Sequence, residues 1–280
     1  MSIELPEAKI LAEQMSRALR GKRIKSYRLR DCERLQKIGF INRDTRAFDQ
    51  LVDRRVESVI SRGNAIRVEL DDGMNIILFP EYGGEVFYHS SETTVPEKFH
   101  LKIDFGDKTA LTVRLTSMGG IQVLKDAELK SSYVFKRDFN PEMISPIDED
   151  FTFERFSRLL AKNNKALKSV LVGKDAIVVG LSNSAFQDII YRAKLHPKRK
   201  ASELKLDEQK ALYGADKFVL QERIRLNGKD QFFDLHQNQG RYTPAMGPNM
   251  RKQKCSVCGT PIDELSHGGG KVFVCSKCQV

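Results

Sequence analysis

The chain has 280 residues, 40% of them hydrophobic, with 47 Lys and Arg against 37 Asp and Glu for a formal net charge of +10. That length holds two ordinary domains plus a small module, and the basic balance favours nucleic acid or another polyanion as partner. No run approaches the ~20 apolar residues of a membrane span and no secretory leader pattern opens the chain, so a cytoplasmic protein without a membrane partner is expected.

The first predicted element is a helix from about Pro6 to Arg20. Pro6 suits a first turn, Glu7 the positive helix end and Arg17 the negative one. Ala8, Leu11, Met15, Ala18 and Leu19 share one face at helical spacing, and Gly21 ends the pattern. From Lys22 to about Lys136 the period shortens to two. Ile66, Val68 and Leu70 lead through Asp71-Asp72-Gly73 to Ile76-Ile77-Leu78. Leu101, Ile103 and Phe105 lead through Gly106-Asp107 to Leu111, Val113 and Leu115. Such hairpins are spaced as in a β-sandwich or barrel.

Residues 137–150 carry two prolines and little periodicity, and read as a linker. The helical period then returns. Phe153, Phe156, Leu159 and Leu160 form one stripe, and Leu167, Val170 and Leu171 the next. A further helix runs through Phe186, Ile189 and Ile190 to Leu195-His196-Pro197, and another spans Asp207 to Arg225. Residues 226–254 are rich in Gly, Asn, Gln and Pro and read as a mostly irregular connection.

The C-terminus carries the sharpest signal. Cys255-Ser256-Val257-Cys258 is followed after 16 residues by Cys275-Ser276-Lys277-Cys278. Paired CxxC turns at this separation suit a four-thiolate structural Zn2+ site, and the residues between are long enough for a β-hairpin. A segment so small buries too little apolar surface to fold alone, so the metal supplies folding energy. A pair of disulfides or a redox pair is the competing reading, and His267 the alternative ligand. Four thiolates leave no open position for metal-centred catalysis. With Cys32 as the single remaining cysteine, this usage fits a reducing compartment.

Three segments together resemble the formamidopyrimidine-DNA glycosylase / endonuclease VIII family. They are Glu4-Leu5-Pro6-Glu7, then Val178-Val179-Gly180-Leu181-Ser182-Asn183 with Leu195-His196-Pro197, and the cysteine hairpin from Lys254-Cys255 to Cys278-Gln279. The resemblance spans essentially the whole chain. It implies an α+β multidomain fold: an N-terminal helix and β-sandwich (1–136), a linker (137–150), a helical helix–two-turn–helix domain (151–249) and a zinc hairpin (250–280). It also implies a monomer that binds double-stranded DNA, associated with the nucleoid in a bacterium, with Asn183 holding phosphate and the base flipped for repair.

The sequence departs from that family where the chemistry lies. The family's nucleophile is an N-terminal proline amine beside a glutamate. Glu4 matches the glutamate, but Ile3 stands in the proline's place. A Ser2 amine, exposed by loss of Met1, is the available substitute, displaced by one residue. Asn64 stands where the family has a basic residue, with Arg62 the nearest cation, and Tyr82 replaces the methionine that fills the gap left by a flipped base. The loop Thr116 to Ile121 lacks the family's cations and aromatic wedge. Gly270 stands at the zinc-hairpin arginine, with Lys271 beside it. The expected function is therefore nucleic-acid binding without proline-dependent chemistry. Two alternatives stand beside it: an active glycosylase and AP lyase using Ser2 and Glu4, and a protein-docking module.

Overall fold

The computed structural model describes residues 3–81, 83–91, 95–173 and 175–280. Ser2 and Tyr82, two of the candidate site residues, lie outside them. By compactness the chain divides into two units, Met1–Asn140 with Leu226–Arg241, and Pro141–Arg225 with Tyr242–Val280. The stretch Leu226–Arg241, which the sequence reading places in the helical domain, packs with the first unit.

The first unit opens with α1 (Leu5–Leu19). Its apolar stripe is buried as the spacing predicts, with Ala8, Leu11 and Met15 excluded from solvent. Burying a side chain of Leu or Met size stabilises by roughly 1.5–3 kcal/mol, so this face anchors the helix to the strands. Among the described residues eight strands follow: β1 (Ile24–Leu29), β2 (Val56–Arg62), β3 (Ala65–Leu70), β4 (Met74–Phe79), β5 (Gly84–His89), β6 (Leu101–Phe105), β7 (Ala110–Leu115) and β8 (Gly120–Lys125). A short helix, α2 (Glu33–Lys37), sits between β1 and β2. The strands form two antiparallel four-stranded sheets, ordered β1-β6-β7-β5 and β2-β3-β4-β8. Both predicted hairpins are present, with Val68 opposite Ile76 and Ile103 opposite Leu111. Asp72 and Gly73 take positive φ at the first turn, as a tight reversal requires. Inward residues of both sheets and α1 share one core that includes Ile3, Met15, Val68, Ile103 and Phe232.

A helix, α3 (Tyr133–Asp138), closes the outer face of the second sheet with the stacked pair Phe135–Phe139. Its last residues, Arg137 and Asp138, fall at the start of the segment read as a linker.

The second unit contains α4 (Phe153–Ala161), α5 (Leu167–Leu171), α6 (Asn183–Arg192) and α7 (Leu206–Arg225). Among the described residues, the apolar run before α6 is not a strand but makes one parallel bridge, Val178 to Ile144. The hairpin β9 (Asp263–His267) and β10 (Gly270–Val274) completes the unit, turning through Gly268 and Gly269 at positive φ.

Candidate functional site

In the first unit, Glu4 caps α1 and is buried, as is Glu7 one turn later. Ile3 is buried in the sandwich core, which fixes the backbone that carries Glu4. The Glu7 carboxylate accepts from the Glu4 amide at 3.2 Å through Oε2 and from the Lys229 amide at 3.2 Å through Oε1. One carboxylate thus satisfies a helix-start amide and ties the helix to a loop more than two hundred residues away. The Lys229 ammonium lies 3.6 Å from Glu4 Oε1, and the pair is almost wholly removed from solvent.

The loop holding Lys229 is an ordered structure. Phe232 and Leu235 are buried in the sandwich core. Gln14 of α1 donates to Asp234 Oδ2 at 2.9 Å and accepts from the Leu235 amide at 2.9 Å. Asp234 also accepts from the amides of His236 and Asn238 and from the Asn227 side chain. Burial pushes the Asp234 carboxyl upward, but these donors hold it below the usual range. Periodicity in the sequence does not reveal this loop, because its anchors are polar and aperiodic. Its legible signals were the turn residues Asn227 and Gly228, and Asp234 set before His236 and Asn238 at Asx-turn spacing.

The β2–β3 tip is also specified by one acid. Asp138 is buried on α3 and accepts from the Asn64 amide at 3.2 Å. Burial raises its pKa despite the Arg137 partner. Arg137 donates to both Asp138 oxygens, at 2.6 and 2.7 Å, and to Glu81. Arg62 is engaged in the same corner, where its guanidinium donates to the main-chain carbonyls of Asp138, at 3.0 Å, and Asn140. This cation therefore fastens the end of the first unit, while Glu81 ties the chain just after β4 to α3.

The chain just after β4 and the loop between β7 and β8 lie back to back. A Cβ on Gly119 would sit 2.7 Å from the Phe79 carbonyl oxygen and 2.8 Å from Pro80 Cα. The glycine is what lets the two backbones approach. Met118, at the tip of the β7–β8 loop, is 54% exposed, so an apolar tip is present where the sequence shows neither cation nor aromatic.

In the second unit the four cysteines converge. The sulfurs of Cys255, Cys258, Cys275 and Cys278 all lie within 4.8 Å of one another, with Cys258–Cys275 at 3.4 Å and Cys255–Cys278 at 3.8 Å. All four are free thiols, so the disulfide reading gives way to a cluster that could hold a metal ion. His267 is not part of it. Hydrogen bonding with Thr260 pulls the Cys258 thiol down to about 6, which favours the thiolate that a metal needs. The Tyr191 hydroxyl reaches Cys255 Sγ at 3.2 Å. Gln279 donates to the Leu195 carbonyl at 2.9 Å and accepts from the Cys275 amide at 2.9 Å.

Asn183 and Lys271, both predicted to contact nucleic acid, are brought together. Ser182 is the N-cap of α6, its hydroxyl accepting from the Ser184 amide, so Asn183 is the first helical residue. Its Nδ2 donates to the Lys271 carbonyl at 2.8 Å. Gln187, buried one turn on, accepts from the Phe273 amide at 2.7 Å and donates to the Asn183 carbonyl at 2.9 Å. Lys168 donates to the His267 carbonyl at 2.5 Å. The hairpin is thus welded to the start of α6 and to α5. Lys271 projects its ammonium towards Glu264, which also pairs with Arg251 at 3.1 Å.

Two family models match the chain. The formamidopyrimidine-DNA glycosylase N-terminal domain matches residues 3–117, and the formamidopyrimidine-DNA glycosylase H2TH domain residues 143–233. The formamidopyrimidine-DNA glycosylase of Heliobacterium modesticaldum is 28% identical over 287 residues, covering 99% of each chain. That of Streptococcus pneumoniae R6 is 26% identical over 288 residues, covering 99% of this chain and 98% of the relative. Among solved structures, Lactococcus lactis Fpg in complex with abasic-site DNA has a TM-score of 0.82 at 22% identity, covering 99% of each chain. The MutM (Fpg) protein of Thermus thermophilus has a TM-score of 0.81 at 20% identity, covering 99% of this chain and 98% of that one.

Proposed function

The chain belongs to the formamidopyrimidine-DNA glycosylase family, and from that footing we propose that it binds damaged duplex DNA and excises the damaged base without a terminal proline. The observation that carries this reading is Glu4. It is held at the start of α1, buried and beside a lysine, which suits a general acid/base whose proton must move at a defined place. A protein that kept only binding has no need of an ionisable group placed there at the cost of desolvation. The relatives described above are named glycosylases, which favours the active alternative over the non-enzymatic reading of the sequence.

Binding is assigned to the second unit. Asn183 retains a second N–H donor for phosphate after its bond to Lys271, the α6 start supplies backbone amides, and Lys271 adds a cation. The four-cysteine cluster is read as a structural zinc site: the metal would set the hairpin's shape and supply no catalytic step. A monomer acting on DNA in the cytoplasm, within the nucleoid in a bacterium, fits this assignment.

The test is base release from duplexes carrying oxidised bases, measured beside binding to the same duplexes, for the natural chain and Glu4→Gln. Base release that falls ~10²–10⁴-fold in Glu4→Gln with binding unchanged supports the reading. Binding without base release in the natural chain overturns it in favour of a non-enzymatic DNA-binding protein.

A further inference from the structure

We infer that Lys229 is the amine that attacks the sugar, in place of the family's terminal proline. This deepens the glycosylase reading and rests on it. Three observations converge on the residue. Ile3 is buried in the core and carries a peptide nitrogen, so its position offers no nucleophile. Lys229 presents a primary amine 3.6 Å from Glu4 Oε1, the carboxylate that matches the family's proton-handling glutamate. The surroundings fix the main chain that carries that amine. Glu7 binds the Lys229 amide at 3.2 Å, the Lys229 carbonyl accepts from the Phe232 amide at 2.8 Å, and Phe232 is buried in the core. Gly240 packs directly on the Gly228 and Lys229 carbonyls, where a side chain has no room.

An amine and a carboxylate at this separation form a nucleophile with its own base. At an abasic site the Lys229 ammonium passes a proton to Glu4. The Nζ lone pair then attacks C1′ of the open-chain aldehyde, and the carbonyl electron pair moves to oxygen. That oxygen takes the proton from Glu4 and one from nitrogen and leaves as water, giving a protonated imine between Nζ and C1′. At an intact damaged nucleotide the Nζ–C1′ bond forms as the glycosidic C1′–N bond breaks. The base leaves with the electron pair and takes the proton that Glu4 holds. In the free protein the lysine side chain is 8% exposed, so the amine is stored against its proton acceptor, away from bulk water.

The full chain is incubated with an abasic-site duplex and borohydride, which reduces an imine to a stable secondary amine. The adduct is then mapped by proteolysis and mass spectrometry, with base release from damaged duplexes measured in parallel. The expected result is an adduct on Lys229. Lys229→Arg keeps a cation beside Glu4, so it tests the nucleophile separately from the ion pair. It should keep its melting temperature and its binding to a non-reactive abasic analogue, and lose the adduct. An adduct on the N-terminal amine, or one that persists in Lys229→Arg, overturns the assignment and leaves the glycosylase reading standing. Base release without any adduct also overturns it, in favour of water activated by Glu4. Neither base release nor an adduct overturns both.

Discussion

The Asn183 side chain donates to the Lys271 carbonyl at 2.8 Å, so the first residue of α6 and the hairpin strand β10 form one surface. Lys271→Ala leaves that bond intact, because it runs to the main chain, and removes the cation together with its ion pair to Glu264. Binding should weaken to a similar degree across DNA sequences, and the slope of log K against log salt should fall by about one. Fluorescence anisotropy over a salt series measures both. An unchanged slope would place the phosphate contact elsewhere.

Cys258 sits in the cluster with its thiol drawn down to about 6. Cys258→Ser should abolish stoichiometric zinc, measured by elemental analysis of the purified protein. It should also loosen the β9–β10 hairpin, because the free energy of metal binding is there the free energy of folding. Metal affinity of the natural chain should fall as pH falls, because protons compete with the metal for the four thiolates. Retention of full zinc occupancy in the variant would remove Cys258 from the ligand set.

Asp216, fully buried on α7, has neither carboxylate oxygen hydrogen-bonded among the described residues, and desolvation raises its pKa to about 8. The unfolded value is ~3.9. Between about pH 4 and 8 the unfolded chain therefore releases a proton that the folded chain keeps, and this group's contribution to stability falls as pH rises across that window. Asp216→Asn should raise the melting temperature, negligibly near pH 4 and increasingly towards pH 8, with a gain on the order of 1–3 kcal/mol. A gain independent of pH would mean that the residue does not titrate in this range.

Gly63 has φ of +57°, and a Cβ there would lie 2.7 Å from Asp138 Cγ. Gly63→Ala should destabilise the first unit by about 1–3 kcal/mol, because the clash falls on the buried acid that organises the β2–β3 tip. Denaturant unfolding gives the value. Asp138→Ala in the same background should make the alanine less costly, since its obstacle is then gone.

The sequence by itself determined the elements whose logic is local. The stripe Ala8, Leu11, Met15 places α1, alternation about Asp71-Asp72-Gly73 places the β3–β4 hairpin, and CxxC spacing places the four thiols. Periodicity and ligand spacing follow from the geometry of one stretch of chain, so they can be read before folding. Only the tertiary structure decided what long-range polar contacts do. Arg62, the nearest cation to a substituted position, is taken up by the Asp138 and Asn140 carbonyls. Asn183 spends one donor on the hairpin. The connection after α7 becomes the ordered loop that carries Lys229 to Glu4. These partners lie scores to hundreds of residues apart and obey no period. A buried acid finds its donor through the packing of the whole unit, and that is where the candidate chemistry of this chain resides.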